Sequence, residues 1–189
     1  MMRLVLIGPP GAGKGTQACR LAKRFSVPTI STGDIFRANV KGETALGKRA
    51  QEYMSAGALV PDEVTNAMVK DRLVQDDVAS GFLLDGYPRN PEQAVQLDGM
   101  LADLGIELDA VLEITADPEE VTKRLLNRAC LEGREDDTED VIRNRLAVYA
   151  DSTTPVTAFY AGRGLLVRVD GIGDVDDVTS RIVAALDAR

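Results

Sequence analysis

The sequence contains no histidine and no tryptophan, and only 4% of its residues are aromatic. Without histidine, the chain lacks the most common general base near neutral pH and the most common metal ligand. Any chemistry must therefore depend on positioning and on charge stabilisation by other side chains. The scarcity of aromatic residues indicates an aliphatic core. The length of 189 residues suits one domain that buries roughly 70% of its unfolded surface.

Cysteines and long apolar runs are also scarce. Cys19 and Cys130 stand far apart and form no metal-binding pair, so we expect reduced thiols in a reducing compartment. No run approaches the roughly 18 apolar residues that span a membrane, and a glycine-rich stretch begins too early for a signal peptide. These features predict a cytoplasmic protein.

Positive charge is in deficit, since the formal net charge is −8. An acidic chain repels nucleic acid and anionic lipid, and no stripe of basic and aromatic residues offsets this. We therefore expect neither nucleic acid nor a membrane as a partner.

Short apolar runs alternate with segments of helical periodicity. The runs are almost continuously apolar, which is typical of parallel strands buried on both faces. The predicted strands are Leu4–Ile7, Pro28–Ser31, Phe82–Asp85, Ala110–Ile114 and Leu165–Val169. The predicted helices are Lys14–Phe25, Gly33–Asn39, Ala45–Ser55, Asp62–Gln75, Pro91–Leu104, Pro118–Ala129, Thr138–Tyr160 and Val175–Ala185. This alternation predicts an α/β fold over residues 1–189, with a five-stranded parallel sheet between two layers of helices.

The stretch Gly8–Thr16 reads Gly-Pro-Pro-Gly-Ala-Gly-Lys-Gly-Thr and links the first strand to the first helix. Glycines let backbone N–H groups surround a phosphate, the helix N-terminus adds partial positive charge, and Lys14 can reach the outer phosphates. The stretch predicts a nucleoside triphosphate site. The alternative, a glycine-rich turn without a ligand, requires neither the lysine nor the flanking elements. Because Gly15 follows the lysine, Thr16 supplies the hydroxyl that could face a magnesium–phosphate group.

Two segments interrupt the alternation. Residues 31–60 hold two short helices between strands, and Gly133–Asp137 is a polar turn between two long helices. Ligands of open parallel sheets bind at the carboxyl ends of the strands, so both segments are candidate moving covers for a site at that edge. Two ordinary surface insertions explain the pattern equally well.

Asp85 ends the third predicted strand, where phosphate-loop proteins place a carboxylate that supports magnesium. Capping of the next turn is its structural alternative. The next residue is Gly86 rather than a glutamate that could position water, which favours transfer over hydrolysis. Arg89 lies just beyond the strand and close to the phosphate loop in such a fold, although a solvated arginine in a turn remains the alternative.

Four further arginines flank the predicted polar turn. Arg124 and Arg128 share one helix face through their i, i+4 spacing, Arg134 lies in the turn, and Arg145 lies on the following helix. A transferring phosphoryl group needs several such cations, although any one of these arginines could be an ordinary surface residue.

Several of these motifs, taken in order, closely resemble the adenylate kinase family, one of the nucleoside monophosphate kinases. They are the phosphate loop, Ser-Thr-Gly-Asp at 31–34 with Arg37, Phe-Leu-Leu-Asp-Gly-Tyr-Pro-Arg at 82–89 with Gln93, Arg-Glu-Asp-Asp at 134–137, and Val-Asp-Gly at 169–171. The resemblance covers nearly the whole chain, and the Gly15-Thr16 pair is the family's own form. It implies the reaction Mg·ATP + AMP ⇌ 2 ADP, within a P-loop fold that has a small helical NMP-binding insertion over residues 31–60.

The resemblance also implies roles for individual residues. The implied ATP-binding residues are Gly11, Ala12, Gly13, Lys14, Gly15, Thr16, Arg124, Arg128 and Gly173. The implied AMP-binding residues are Thr32, Arg37, Ala58, Leu59, Val60, Gly86, Tyr87, Pro88, Arg89, Gln93, Arg134 and Arg145. The implied catalytic cations are Lys14, Arg89, Arg128, Arg134 and Arg145. Asp85, through water, and Thr16 would serve the Mg²⁺ ion.

Thr32 and Gln93 separate this reading from its nearest rival. UMP/CMP kinases typically carry alanine and asparagine at these positions, so the pair favours AMP. Each residue also has a structural alternative, since Thr32 could cap the helix that starts at Gly33 and Gln93 could be the third-position partner of the Asn90 cap. A rival of another class, a nucleotide switch without transferase activity, is disfavoured because a guanine-reading Asn-Lys-x-Asp is absent.

The segment between the two long helices resembles the short-lid form of the family, with the lid at residues 129–138. This form predicts no structural zinc site, and the lone Cys130 gives no reason to expect one. We expect a monomer, because the predicted covers need freedom to move.

Overall fold

A five-stranded parallel sheet forms the centre of the molecule, with strand order β2-β3-β1-β4-β5. The computed structural model describes residues 2–132 and 138–189, with the backbone alone described for residues 128–132. The strands are β1 Met2–Ile7, β2 Thr29–Ser31, β3 Gly81–Asp85, β4 Ala110–Thr115 and β5 Leu166–Asp170. The predicted parallel sheet is confirmed, with each strand within two residues of its predicted bounds.

Helices cover both faces of this sheet. They are α1 Lys14–Phe25, α2 Thr32–Lys41, α3 Ala45–Ser55, α4 Asp62–Leu73, α5 Pro91–Asp103, α6 Pro118–Glu132, α7 Glu139–Val148, α8 Thr154–Ala161 and α9 Val175–Asp187. A short 3₁₀ helix spans Asp76–Val78. The described chain is thus a three-layer α/β/α fold, as predicted.

The core follows from the two-residue period of the strands. In β1, Leu4 and Leu6 pack into a cluster with residues of α1 and α9, whereas Val5 and Ile7 pack on the opposite face with residues of α4, α5 and α8. Both faces of the strand are therefore buried, which explains its continuous apolar run. β1 pairs with both β3 and β4, so it lies at the centre of the sheet.

A third, smaller cluster lies under residues 31–60. Phe36, Ala50 and Val60 are its buried members. The two helices approach so closely that a Cβ atom on Gly47 would lie 2.1 Å from the Asn39 carbonyl oxygen. This pair of helices therefore has its own packed core beside the edge strand β2.

Local signals for helix starts are confirmed for α5 and α6. The Asn90 side chain accepts a hydrogen bond from the N–H of Gln93 over 2.7 Å, with Pro91 as the first helical residue. Asp117 accepts hydrogen bonds from the N–H groups of Glu119 and Glu120 in the same way. These side chains satisfy amide groups that the first turn leaves without helical partners.

The single long helix predicted over Thr138–Tyr160 is wrong, because it is interrupted. A π-helical turn at Tyr149–Thr153 separates α7 from α8. Pro155 lies at the start of α8 and has no N–H to donate, and its ring would clash with the carbonyl four residues earlier in a regular helix. The wider π turn accommodates the proline.

Within the described residues, no helix combines the length and the apolar character that crossing a bilayer requires.

Candidate functional site: a cleft at the carboxyl edge of the sheet

The glycine-rich loop that is predicted to bind phosphate links the central strand β1 to α1. Gly11 and Gly13 adopt positive φ angles of 82° and 92°, which side chains with a Cβ atom rarely tolerate. A Cβ atom on Gly11 would also lie 2.8 Å from the carbonyl oxygen of Val121 in α6. Gly13 is the N-cap of α1 and offers no side-chain hydrogen bond, and the first turn carries no acidic residue. The helix N-terminus therefore directs its amide groups and positive dipole into the cleft.

Lys14 is the first residue of α1, and its side chain folds back over the loop. Its Nζ donates hydrogen bonds to the carbonyl oxygens of Gly8 and Pro9, over 2.7 and 3.0 Å. These contacts hold the ammonium group against the start of the loop, and Lys14 lines the adjoining cleft. Phosphate oxygens are the ligands that this arrangement favours.

A compact junction follows β3, where Gly86 accepts two hydrogen bonds. Its carbonyl oxygen receives one from the Thr32 hydroxyl and one from Arg89 Nε, each over 2.8 Å. Gly86 has φ +82°, and a Cβ atom there would lie 2.7 Å from Thr32 Oγ1. Thr32 does not cap α2, since the Ser31 side chain accepts from the Asp34 N–H instead. The junction fixes the direction of the Arg89 guanidinium.

Arg89 is a partly buried cation. Burial lowers the pKa of its guanidinium, the Asp85 carboxylate raises the pKa, and the nearby Arg37 guanidinium lowers it. Arg37 itself forms an ion pair with Asp34. Arginine stays protonated at neutral pH despite such shifts, so the positive charge persists inside the cleft. Because Arg89 has lost part of its hydration, a bound anion would be a favourable partner for its guanidinium group.

A cavity beside this junction lies between α2, the Gly57–Val60 segment and the start of α5. Its lining includes Thr32, Gly33, Phe36, Arg37, Met54, Gly57, Ala58, Leu59, Val60, Thr65, Gly86, Arg89, Gln93 and Arg145. The lining combines apolar residues with the arginines Arg37, Arg89 and Arg145. This combination suits a ligand with a flat apolar body and an anionic end.

Gln93 forms part of the floor of this cavity, and only 2% of the residue is exposed. Its Oε1 accepts a hydrogen bond from the backbone N–H of Arg89 over 2.7 Å, and its Nε2 donates to Asp62 Oδ1 over 2.8 Å. The reciprocal bond of a capping box would require Gln93 to reach the N–H of Asn90. Its side chain is directed elsewhere, so Gln93 takes part in the Asn90 cap through its backbone N–H and not through its side-chain amide.

Tyr87 and Pro88, which are predicted to bind AMP, are not among the residues that line this cavity. Tyr87 is fully buried, and its hydroxyl donates to Asn66 Oδ1 over 2.6 Å. Burial and the charge of Asp62 raise the pKa of this hydroxyl, so it remains a donor. Pro88 instead lines an adjoining cavity beneath the phosphate loop, together with Lys14, Arg89 and Arg145.

A larger cleft of about 800 Å³ adjoins the first cavity. It extends along the phosphate loop from residue 10 to residue 17, past Asp85 and Arg89, to Arg124 and the segment after β5. Arg124 Nη1 donates to the carbonyl oxygen of Gly171 over 3.3 Å, and its Nε pairs with Glu120. Gly173, which also lines the cleft, has φ +113°.

Arg145 enters the cleft from α7. The same helix contacts the other cavity wall, because Asn144 Nδ2 donates to the carbonyl oxygen of Ala56 over 2.5 Å. A Cβ atom on Gly57 would lie 2.9 Å from the Val141 carbonyl oxygen and 3.0 Å from Arg145 Cγ. The absence of a side chain at Gly57 therefore lets α7 approach and carry Arg145 into both cavities.

The structure brings most of the predicted cations together. Lys14, Arg89 and Arg145 line one continuous cleft, which Arg37 and Arg124 also reach. Arg128 lies on α6, but its side chain is among those not described. Arg134 and most of the predicted lid at residues 129–138 lie outside the described residues.

Oxygen donors for a divalent cation face the same cleft. Asp85 and Thr16 both line it beside the phosphate loop. In the described part of the chain, no group of three or more histidine, cysteine, aspartate or glutamate residues is placed to hold a metal ion. One carboxylate and one hydroxyl fit Mg²⁺, which keeps several waters and binds substrate phosphates rather than a full set of protein ligands.

Three positioning residues are absent from the sequence-based predictions. The Thr153 hydroxyl donates to the carbonyl oxygen of Arg89 over 2.8 Å. Asp62 binds Gln93, and Arg181 Nη2 donates to the carbonyl oxygen of Ile172 over 2.5 Å. The Thr153 and Asp62 contacts join residues 64 and 31 positions apart, and the Arg181 contact joins residues 9 apart, so none of them belongs to the motifs that the sequence shows.

Comparisons with known proteins identify one and the same family along nearly the whole chain. A family model described as Adenylate kinase matches residues 6–165. The chain is similar to an adenylate kinase from Thermobifida fusca (strain YX), with 60% identity over 188 residues that cover 100% of both proteins. An adenylate kinase from Kocuria rhizophila is 60% identical over 187 residues, covering 99% of this chain and 100% of the relative. One from Stenotrophomonas maltophilia (strain K279a) is 52% identical with the same coverage.

Proposed function

The chain belongs to the adenylate kinase family and is therefore a phosphotransferase, and we propose that its cleft transfers the terminal phosphoryl group of Mg·ATP to AMP, giving two ADP. In this proposal the larger cleft binds ATP, and the cavity beside α2 binds AMP. The domain comprises residues 1–189, with residues 31–60 as the AMP-binding insertion and residues 129–138 as a short lid.

One observation carries this assignment: the two cavities adjoin and share their cations. Arg37, Arg89 and Arg145 line both of them, together with Gly86. A cation on the boundary between two nucleotides contacts the phosphates of both. A protein that binds a single nucleotide would need only one cavity beside these arginines, whereas this cleft has two.

The reaction then depends on position and charge. Lys14 holds the terminal phosphate of ATP at the N-terminus of α1, and Arg89 and Arg145 hold the phosphate of AMP facing it. Together they stabilise the negative charge that spreads over the transferring group. Aligning the acceptor oxygen with the phosphorus converts an encounter of two molecules into a step within one complex. On the family resemblance, Arg128 and Arg134 join this set.

Magnesium completes the charge balance of the proposed site. Asp85, acting through water, and Thr16 are the side chains that would hold the ion. When bound, Mg²⁺ neutralises part of the phosphate charge.

Recognition of adenine is assigned to different walls of the two cavities. For ATP, Arg124 and the segment around Gly173 lie where the base would extend from the phosphate loop. For AMP, the base would pack against Ala58–Val60, with the amide of Gln93 at its polar edge. A glutamine amide pairs with an edge that has one acceptor and one donor, which adenine provides.

We also propose that the enzyme is monomeric and acts in the cytoplasm, where it would interconvert ATP, ADP and AMP. Light scattering on the purified protein should give a mass near the 20.3 kDa of a single chain. A mass of twice that value would reject the monomer.

A substrate panel tests the proposed reaction. ADP should form from ATP plus AMP with Mg²⁺, at a rate far above that with ATP alone. CMP and UMP in place of AMP separate the proposal from pyrimidine nucleotide kinases. Equal rates with CMP would reject AMP specificity, and equal rates without any monophosphate would reject transfer to a nucleotide.

A further inference from the structure

The polar edge of the proposed AMP cavity is held by a residue that does not line it. Asp62 begins α4, and its carboxylate accepts hydrogen bonds from two residues of α5 and its cap. Gln93 Nε2 donates to Oδ1 over 2.8 Å, and Asn90 Nδ2 donates to Oδ1 and Oδ2, each over 3.0 Å. Because Asn90 holds both oxygens, the carboxylate keeps its orientation toward Gln93.

The contacts of Gln93 permit only one orientation of its amide. Asp62 offers only acceptors, so it must face the Nε2 group, whereas the backbone N–H of Arg89 is a donor and must face Oε1. Rotating the amide by half a turn would place oxygen against carboxylate and N–H against N–H. Both of these buried contacts would then be unsatisfied, which is costly.

The fixed orientation determines what the cavity can recognise. An amide has two N–H donors and two acceptor lone pairs, and the described contacts use one of each. One donor and one acceptor therefore remain, in a fixed order. Adenine presents an acceptor at N1 and a donor at N6, whereas hypoxanthine presents a donor at N1 and an acceptor at O6. The two bases thus demand opposite orientations of the same amide.

We propose that Asp62 is a specificity-determining positioning residue, which holds the Gln93 amide in the orientation that fits adenine and rejects 6-oxopurines. This inference rests on the proposed function, since it assumes that the cavity at Gln93 binds AMP. Asp62 itself touches neither the base nor the reacting phosphates. It acts by excluding the second orientation of Gln93.

The test compares kcat/KM for AMP and for IMP with ATP held constant. Asp62→Asn keeps the shape of the side chain but offers Gln93 either an oxygen or an N–H group. The ratio of kcat/KM for AMP to that for IMP should fall about tenfold, because the unfavourable contact with Asp62 is lost while that with the Arg89 N–H remains. The KM for AMP should rise and the KM for ATP should stay unchanged. Asp62→Ser should act in the same direction.

Glu63→Gln is the matched control. Glu63 also lies in the first turn of α4, but it is exposed. Its substitution removes the same charge near the helix N-terminus and should leave the ratio unchanged. Because the ratio compares two substrates on one enzyme, a partly destabilised variant does not alter it.

Gln93→Ala separates this inference from the proposed function. It should abolish most of the discrimination, and Asp62→Asn should then add no further change in the double variant. If Gln93→Ala lowers the ratio while Asp62→Asn and Asp62→Ser match the wild type, the role of Asp62 is overturned and AMP recognition stands. If Gln93→Ala itself leaves the ratio intact, both the base-recognition role of Gln93 and the inference fail.

Discussion

Carbonyl oxygens hold the cations at the centre of the cleft. Lys14 donates to two carbonyl groups of its own loop, and Arg89 Nε donates to that of Gly86. A carbonyl group carries no net charge, so these hydrogen bonds orient the two cations without neutralising them. Arg89 also loses hydration through burial, which strengthens its interaction with an anion.

The role of Lys14 is tested by Lys14→Met, which keeps the length of the side chain and removes the ammonium group. We expect kcat to fall by about 10²–10³, because one donor aimed at the transferring phosphoryl group is lost. The rate of ADP formation from ATP and AMP measures this. Lys23→Met, at an exposed position near the end of the same helix, is the control. Wild-type turnover in Lys14→Met, with an unchanged melting curve, would remove Lys14 from the mechanism.

Secondary-structure elements differ in how well their first and last residues can be predicted from the local sequence. The bounds of α1 and α3 match their predictions, because the punctuation at their ends is local. The sequence pattern does not predict the interruption between α7 and α8, although Pro155 lies just after it. A proline predicts that a regular helix is disturbed, but only packing decides whether the chain kinks, ends or widens into a π turn. Here the wider turn places the Thr153 hydroxyl on the Arg89 carbonyl.

Close packing of the segment after β5 against the phosphate loop predicts that Gly171 tolerates no side chain. A Cβ atom there would lie 2.5 Å from Ile114 Cγ2 and 3.0 Å from the Ala12 carbonyl oxygen. Gly171→Ala should destabilise the protein by about 1–3 kcal/mol and raise the KM for ATP, because Ala12 belongs to the phosphate loop.

Gly99→Ala is the comparison for this substitution. Gly99 lies inside α5 at an exposed position, and a Cβ atom there meets no atom within 4 Å. Alanine should stabilise the helix by about 0.5–1 kcal/mol. Chemical denaturation measures both changes, and a Gly171→Ala variant as stable as the wild type would contradict the packing argument.

At the scale of the whole molecule, the sheet brings distant segments to one edge. The phosphate loop follows β1, the Gly86 junction follows β3, and the Gly171–Gly173 segment follows β5. All three strands are parallel, so these ends meet on one side. Two cavities result, because residues 31–60 form a second wall beside this edge.

The two-cavity arrangement predicts that ADP, the common product, binds twice to one chain. Isothermal titration with ADP and Mg²⁺ should give a stoichiometry near two. A non-hydrolysable ATP analogue and AMP should each raise Tm, and together they should raise it further, since each site at 100 times its Kd adds about 2.7 kcal/mol. Adenosine, which lacks phosphates, is the control. A stoichiometry of one for ADP would contradict the arrangement.

By itself, the sequence determined the features that depend on contiguous residues. Strand, glycine turn, lysine and helix N-terminus follow one another at Gly8–Thr16, so the place of this loop in the fold was predictable, as were the alternation of the α/β fold and the caps at Asn90 and Asp117. Tertiary structure alone decided the contacts that orient these groups. Asp62 and Gln93 are 31 residues apart, and Thr153 and Arg89 are 64 apart. Polar side chains such as Asp62 and Thr153 could bond to many groups in the chain. Which partner each one contacts is decided only when α4, α5 and the π turn pack together.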